Sequence, residues 1–388
     1  MAIINRIGEF HQDMTAWRRD LHAHPELGFE EHRTSAIVAD KLKAFGIDEI
    51  HTGIAKTGVV GVLRAGSGSG AIGLRADMDA LPIHEASGVE YASTNAGKMH
   101  ACGHDGHTTM LLGAARYLAE TRNFDGTVYL VFQPAEEMLG GGRVMLEEGL
   151  LERFPMTQLY GLHNWPKLPI GSFAVRPGPM MAAADRFTLT LHGQGGHGAM
   201  PELARDPLVA AAQIVLAMQT IVARNVDPVK QAVVSVTQIH GGDAYNVIPQ
   251  SAMIAGTCRS FAPEVRDLLE RRIAAIGHGV GEALQVEVDV HYERGYPATV
   301  NSEAETELAA EVAAAVVGDE RVDRATLPVM GAEDFSYMLE QRPGAYIFMG
   351  GGREEAPLHS PQYDFNDEAL SVGASYWARL VERLLPAG

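Results

Sequence analysis

Apolar positions along the chain follow two periods, and these divide it into elements. Residues 1 to 50 carry two helical patterns with three- and four-residue spacing, interrupted where Pro25 cannot continue a helix. Val59 to Arg64 and Ile72 to Arg75 are short apolar runs, joined by the flexible turn Ala65-Gly66-Ser67-Gly68-Ser69-Gly70. Thr127 to Gln133 is apolar almost throughout, as a strand covered on both faces must be. Tyr160 to Leu162 and Ala345 to Met349 are further short runs. Leu111, Ala114, Ala115 and Leu118 give one apolar face to a helix over Thr108 to Glu120. Helical patterns separate most of these strands, which predicts an α/β domain with an open mixed sheet flanked by helices.

The pattern changes at Asp185. Phe187, Leu189 and Leu191 alternate as a half-buried strand should, and Asp206-Pro207 then opens a helix running to about Arg224. Strands over Val233 to Ile239 and Met253 to Cys258, a helix from Pro263 to about Gly281, and an alternating strand over Val286 to His291 complete the order β-α-β-β-α-β. That order is ferredoxin-like. It predicts a lid or dimerisation domain over residues 185–293, inserted into a metal-binding catalytic domain formed by residues 1–184 and 294–388.

Composition narrows the classes of partner. With 388 residues, 46% hydrophobic and 21% charged, the chain suits a two-domain globular protein. A formal charge of -18 repels phosphate backbones and anionic lipid, so neither nucleic acid nor a membrane surface is an expected partner. No stretch has the uninterrupted apolar length of a membrane span, and Met1 to Asp20 lacks the apolar core of a secretory signal. Two cysteines, Cys102 and Cys258, exclude a disulfide framework. A cytoplasmic protein with reduced thiols is the expectation.

The chemistry concentrates in Lys98-Met99-His100-Ala101-Cys102-Gly103-His104-Asp105-Gly106-His107, which is expected to be a loop feeding the helix that follows. Imidazole and thiolate are the donors that borderline-soft divalent metals prefer, so Cys102 and His104 are candidate ligands. Taken alone, the segment reads sooner as a capping histidine, a histidine bonded to a carbonyl and a buried thiol. A second group, His22, His24 and Glu26, reads as a solvated helix end rather than a metal cluster. More telling is that Asp77, Asp79, Glu136, Glu137 and His163 each follow a predicted core strand, with His359 a short loop beyond another. Open α/β sheets bind ligands in the crevice outside their strand carboxyl ends. Asp79 is expected to orient a ligand or Glu136.

In order along the chain, these motifs resemble the aminoacylase and carboxypeptidase family of dinuclear metallohydrolases, and most of all its hippurate hydrolase and auxin-conjugate hydrolase branch. The resemblance rests on Arg18-Arg19-Asp20-Leu21-His22, Leu74 to Pro82, Met99 to His107, Gln133-Pro134-Ala135-Glu136-Glu137 and Gly161-Leu162-His163-Asn164. It continues through Gly195-Gly196-His197-Gly198-Ala199, Asn246-Val247-Ile248-Pro249, Gly331-Ala332-Glu333-Asp334-Phe335 and His359. It implies that Cys102, His104, Glu137, His163 and His359 hold two divalent ions per subunit, manganese or zinc, with cobalt or nickel as alternatives. Glu136 would be the general base, His197 an oxyanion donor and Asn246 a substrate-binding residue, in a homodimer formed through the lid. Arg259 is a further candidate for gripping a substrate carboxylate. Asp77 stands where many members carry a ligating histidine, and the Cys102–His104 loop stands where they carry a bridging aspartate. The auxin-conjugate and hippurate branch shares both departures.

The implied reaction is metal-dependent hydrolysis of a small N-acyl amino acid to a carboxylic acid and a free amino acid. A dipeptidase or carboxypeptidase is the alternative within the family. A thiol amidase using Cys102, or a non-catalytic metal- or amino-acid-binding protein, is the alternative outside it.

Overall fold

Eight strands hydrogen-bond into one mixed sheet, and four adjacent ones are parallel. Across the sheet these run Gly126–Gln133, Ala71–Asp77, Gln158–Trp165, Gly344–Gly350. Their carboxyl ends therefore lie along one edge. Gly58–Ala65 joins antiparallel beside Gly126–Gln133, and Glu49–Ile54 beyond it, while Phe173–Ala174 and Val322–Asp323 close the other side. After Ala71–Asp77 the chain crosses first to Gly126–Gln133 on one side and later to Gln158–Trp165 on the other. Such a reversal opens a crevice at the strand ends.

This sheet belongs to the first of two compact units, formed by Met1–Met180, Val300–Leu327 and Asp334–Gly388; the second comprises Met181–Thr299 and Pro328–Glu333. The computed structural model describes residues 1–137 and 139–388. In the first unit Val128 and Leu130 from the sheet share a core with Leu111, Leu112 and Leu118 of helix His104–Thr121 and with Trp377, Leu380 and Val381 of helix Leu370–Leu384. The N-terminal 50 residues form three helices rather than two, Asn5–Glu9, His11–Ala23 and His32–Phe45.

Helix His104–Thr121 begins four residues earlier than its apolar spacing predicts. Gly103 precedes it with φ +91°, and a Cβ at that position would lie 2.3 Å from Asn164 Nδ2, so only glycine fits. The histidine-rich segment is thus split, with Cys102 in the approach and His104, Asp105 and His107 on the helix's first turn, all buried.

In the second unit, strands Ala183–His192, Ala232–His240, Ser251–Ser260 and Glu287–Arg294 pair antiparallel, with Ala183–His192 between Ser251–Ser260 and Glu287–Arg294. With helices Pro207–Asn225 and Pro263–Leu284 packed on the inward Phe187, Leu189 and Leu191, this is the ferredoxin-like arrangement. Helix Pro207–Asn225 is, by length and composition alone, long and apolar enough to cross a membrane, which amends the reading that no stretch is. Its Ala210, Ala211, Ile214, Met218 and Ile221 face the unit's core. The Asp206 carboxylate accepts from Leu208 N and Val209 N at its start. Asp206→Ala is expected to destabilise this unit by about 1 kcal/mol, read as a lower urea midpoint at unchanged slope.

Candidate metal centre

Parallel strands deliver side chains to one edge, and the first unit uses that edge. Asp77 is the last residue of its strand, His163 lies within Gln158–Trp165 rather than beyond it, and Glu136 and Glu137 follow Gly126–Gln133 after a short elbow. His359 arrives from the loop after Gly344–Gly350, where its backbone N–H donates to Ala101 O at 2.7 Å. Among the sets of potential ligand atoms that lie within 4.8 Å of one another are Cys102–His104–His163, Cys102–Glu137–His359 and His104–Glu136–Glu137, and Asp77–His104–His107 adjoins them. Shared members link the first three into a cluster of Cys102, His104, Glu136, Glu137, His163 and His359.

The hydrogen bonds fix which nitrogens face it. His163 Nδ1 donates to Asn164 O at 2.6 Å, leaving Nε2 as the acceptor 3.4 Å from Cys102 Sγ. His104 Nδ1 donates to Asp79 O at 2.9 Å, and among the described residues its buried Nε2 has no hydrogen-bond partner. Glu137 Oε1 lies 3.1 Å from His359 Nε2. Imidazoles anchored through Nδ1 and presenting Nε2, beside a buried thiol and a carboxylate, are a donor set suited to borderline divalent ions. The residues fit such ions.

The field has the matching sign. Burial works against charge on His104, yet Asp77, Asp79 and Glu137 outweigh it and raise its pKa to about 10. Burial pushes His163 well below the usual histidine range, with neighbouring His107 adding to the effect, so it is a neutral donor. The Cys102 thiol is pushed far up, first by burial and then by Glu137, Glu136 and Asp77. A neighbouring cation reverses that preference.

Asp79 and Asp77 play different parts. The Asp79 carboxylate accepts Glu136 N at 3.0 Å and Glu137 N at 2.9 Å, besides lying 3.3 Å from His104 Nδ1. Asp77 lies 3.7 Å from His104 Nε2, and Arg75 Nη1 and His107 Nδ1 each donate to it at 2.7 Å. His107 Nε2 in turn accepts Asn164 N at 2.9 Å, and Asn164 Nδ2 holds Cys102 O at 2.7 Å. His107 is therefore a brace between the strand carrying His163 and the loop carrying Cys102.

In the second unit, His197 and Asn246 line one groove of about 1040 Å³. They are brought together where Gly196–His197 pairs with Val247–Ile248 and Gly198 N donates to Asn246 O at 2.8 Å. Arg259 is not among the described residues lining this groove. Its half-buried guanidinium is hydrogen-bonded to Thr257 Oγ1 and, at 2.9 Å, to Cys258 O.

Residues 73–383 match the model of peptidase family M20/M25/M40. The chain belongs to this family. It is similar to the hippurate hydrolase of Campylobacter jejuni, with 42% identity over 99% of this chain and 100% of the relative. It is also similar to the IAA-amino acid hydrolase ILR1-like 2 of Arabidopsis thaliana, with 41% identity over 96% and 85% of the two chains. Among solved structures, the Bacillus subtilis YXEP protein, described as a dinuclear metal binding peptidase from the M20 family, superposes with a TM-score of 0.85 at 34% identity, covering 97% of this chain and 99% of that one.

One part of this M20 chain departs from its sequence reading. His22 is no solvated helix end: it is wholly buried, with Nδ1 2.8 Å from Asp105 and Nε2 3.1 Å from Glu85. Buried Arg18 joins it, donating to Asp364 and lying 3.7 Å from Asp105. His24 Nδ1 lies 2.8 Å from Asp20 O on its own helix, and Glu26 caps the next helix through Arg33 N and Thr34 N. The network sits directly behind the first turn of helix His104–Thr121. Against the desolvation cost, Asp105 and Glu85 raise the His22 pKa to about 9. The charged ring therefore favours the fold fully below its unfolded value of 6.5, and the contribution is lost as pH rises through about 9. The unfolding free energy at fixed metal loading is expected to fall by about 3 kcal/mol across that window. His22→Asn should flatten this slope, and an unchanged slope would remove His22 as its origin.

Proposed function

We propose that this chain hydrolyses the amide bond of N-acyl amino acids, releasing a carboxylic acid and a free amino acid. The observation that carries the reading is the convergence of Cys102, His104, Glu137, His163 and His359 on one cluster with Glu136 at its edge. The names of the relatives, hippurate and IAA-amino acid hydrolases, support the substrate class. Those five residues would hold two divalent ions, manganese or zinc first and cobalt or nickel as replacements. When bound, such ions polarise the carbonyl and make water acidic enough to attack near neutral pH.

The chain's own residues do the rest. Glu136 takes the proton of the attacking water and passes it to the departing nitrogen. Its neighbour Glu137 is committed as a ligand, and Asp79 holds both backbones so that the two carboxylates diverge in role. His197 and Asn246, sharing one groove, bind substrate, and His197 serves as the oxyanion donor. Arg259, already committed to Thr257 and Cys258, contributes less to the grip on a substrate carboxylate. A homodimer through the second unit belongs to the same reading. Its support is the outer face of helix Pro207–Asn225, where Leu208, Val209, Leu216 and Val222 are exposed. A cytoplasmic location, which keeps Cys102 reduced, completes it.

A thiol mechanism is disfavoured, because burial and the surrounding carboxylates oppose the free Cys102 thiolate that a nucleophile requires. Chelation should abolish hydrolysis of acyl-amino acids and Mn, Zn, Co or Ni should restore it. Glu136→Gln should keep both ions by elemental analysis while kcat drops by about 10²–10⁴-fold. Activity that survives chelation would point to the thiol enzyme, faster cleavage of dipeptides to a peptidase, and no turnover of either class to a binding protein.

A further inference from the structure

We propose that Glu31 is a positioning residue: its carboxylate pins the left-handed elbow at Ala135 and so sets the direction from which Glu136 enters the site. The proposal rests on the reading of Glu136 as general base. Ala135 has φ +54°, a region that an alanine occupies only when its surroundings hold it there. What holds it is specific. Ala135 N donates to Glu31 Oε1 at 2.8 Å, and Glu31 Oε2 accepts the Thr57 hydroxyl at 2.6 Å, with Glu31 and Thr57 both buried.

The next two amides, of Glu136 and Glu137, go to Asp79. Three successive N–H groups are thus aimed by two carboxylates, one on each flank of the elbow. Ala135 O accepts Gly141 N at 2.9 Å, and Gly28 packs so closely that a Cβ on it would lie 3.0 Å from Ala135 Cβ. Gly28 and Glu31 thus hold the elbow from one segment and Asp79 from another. Among the described residues, the Glu31 carboxylate bonds the Ala135 amide and the Thr57 hydroxyl.

A buried acid is costly, and burial raises the Glu31 pKa to about 7 despite the Thr57 hydrogen bond. An apolar residue would pack there more cheaply. The acid supplies two acceptors at once, one for the Ala135 amide and one for the Thr57 hydroxyl, and so ties the elbow to the turn that begins strand Gly58–Ala65. Glutamine can reproduce the amide bond and reverse the other, donating its NH₂ to the Thr57 oxygen. Alanine can do neither.

The test compares Glu31→Ala, Glu31→Gln and the double variant Glu31→Ala/Ala135→Gly, all metal-loaded. It measures kcat and KM on a hippurate-type substrate, metal content, and amide exchange over residues 135–137. Glu31→Ala is expected to lower kcat by about 10- to 100-fold at unchanged KM and metal content, and to speed exchange at the elbow. Glu31→Gln should stay within about threefold of wild type, since it keeps the Ala135 bond. Glycine at 135 adopts positive φ without penalty, so the double variant should recover part of the lost kcat. Unchanged exchange in Glu31→Ala, a kcat loss that tracks lost metal, or no recovery in the double variant would each overturn the proposal. If Glu31→Ala does not fold, Thr57→Val carries the test: faster exchange over 135–137 with lower kcat supports it, and unchanged exchange overturns it. Wild-type protein inactive on every acyl-amino acid, with Glu31→Ala still loosening the elbow, would sink the hydrolase reading and leave the clamp standing.

Discussion

The Asp79 carboxylate is the interaction on which the rest of the first unit depends. It is buried, and it takes the backbone N–H groups of Glu136 and Glu137 while its own backbone carbonyl orients His104. Three pieces of chain meet there: the end of strand Ala71–Asp77, the elbow after Gly126–Gln133, and the first turn of helix His104–Thr121. Charge-assisted hydrogen bonds contribute about 1.5–3 kcal/mol each, and a buried acceptor stripped of its donors costs a comparable amount. A displaced Asp79 would therefore misplace a ligand, a candidate base and a helix start together.

Around that anchor the balance of charge is uneven by design of the fold. Asp77 is compensated by Arg75 and His107, and Asp105 by Arg18 and His22, so both are structural anions with fixed partners. Asp79 is held by two backbone amides and by the His104 imidazole. Asp77, Asp79 and Glu137 pull His104 up toward its charged form against its burial, while burial pushes His163 toward its neutral one. Desolvation acts on both imidazoles; at His104 the carboxylates outweigh it, while at His163 the neighbouring His107 and His104 reinforce it. A cluster of this sign and depth favours cations over protons wherever thiolate and imidazole donors stand ready.

How much of this the sequence reveals depends on the range over which each feature is written. Strand and helix periods are local, so the α/β sheet and the ferredoxin-like order of the second unit can be read directly, and so can the placing of acids and histidines at strand ends. The start of helix His104–Thr121 could not be read that way. Its first turn has no apolar period, because its side chains face the cluster and the brace behind it, and Gly103 serves as a close-approach glycine that spacing alone does not distinguish from a loop glycine. His22 looks exposed beside Pro25 because its partners, Glu85 and Asp105, are 63 and 83 residues away. The sharper limit is Arg259, for which an alternating strand gives a face but not a partner, and whose guanidinium turns to Thr257 and Cys258.

Glu31 is the extreme case, and it explains why ligands are easier to find than the residues that aim them. A ligand must be one of a few side-chain types and must lie at a strand end or on a helix turn, so its identity and position both carry information. A residue that aims a backbone amide needs only an acceptor of the right reach, and its target can lie anywhere: Ala135 is 104 residues from Glu31 in the chain. The visible trace is in the target rather than the clamp. A non-glycine residue held at positive φ immediately before a functional carboxylate signals that something distant is holding it, and Ala135 meets that description.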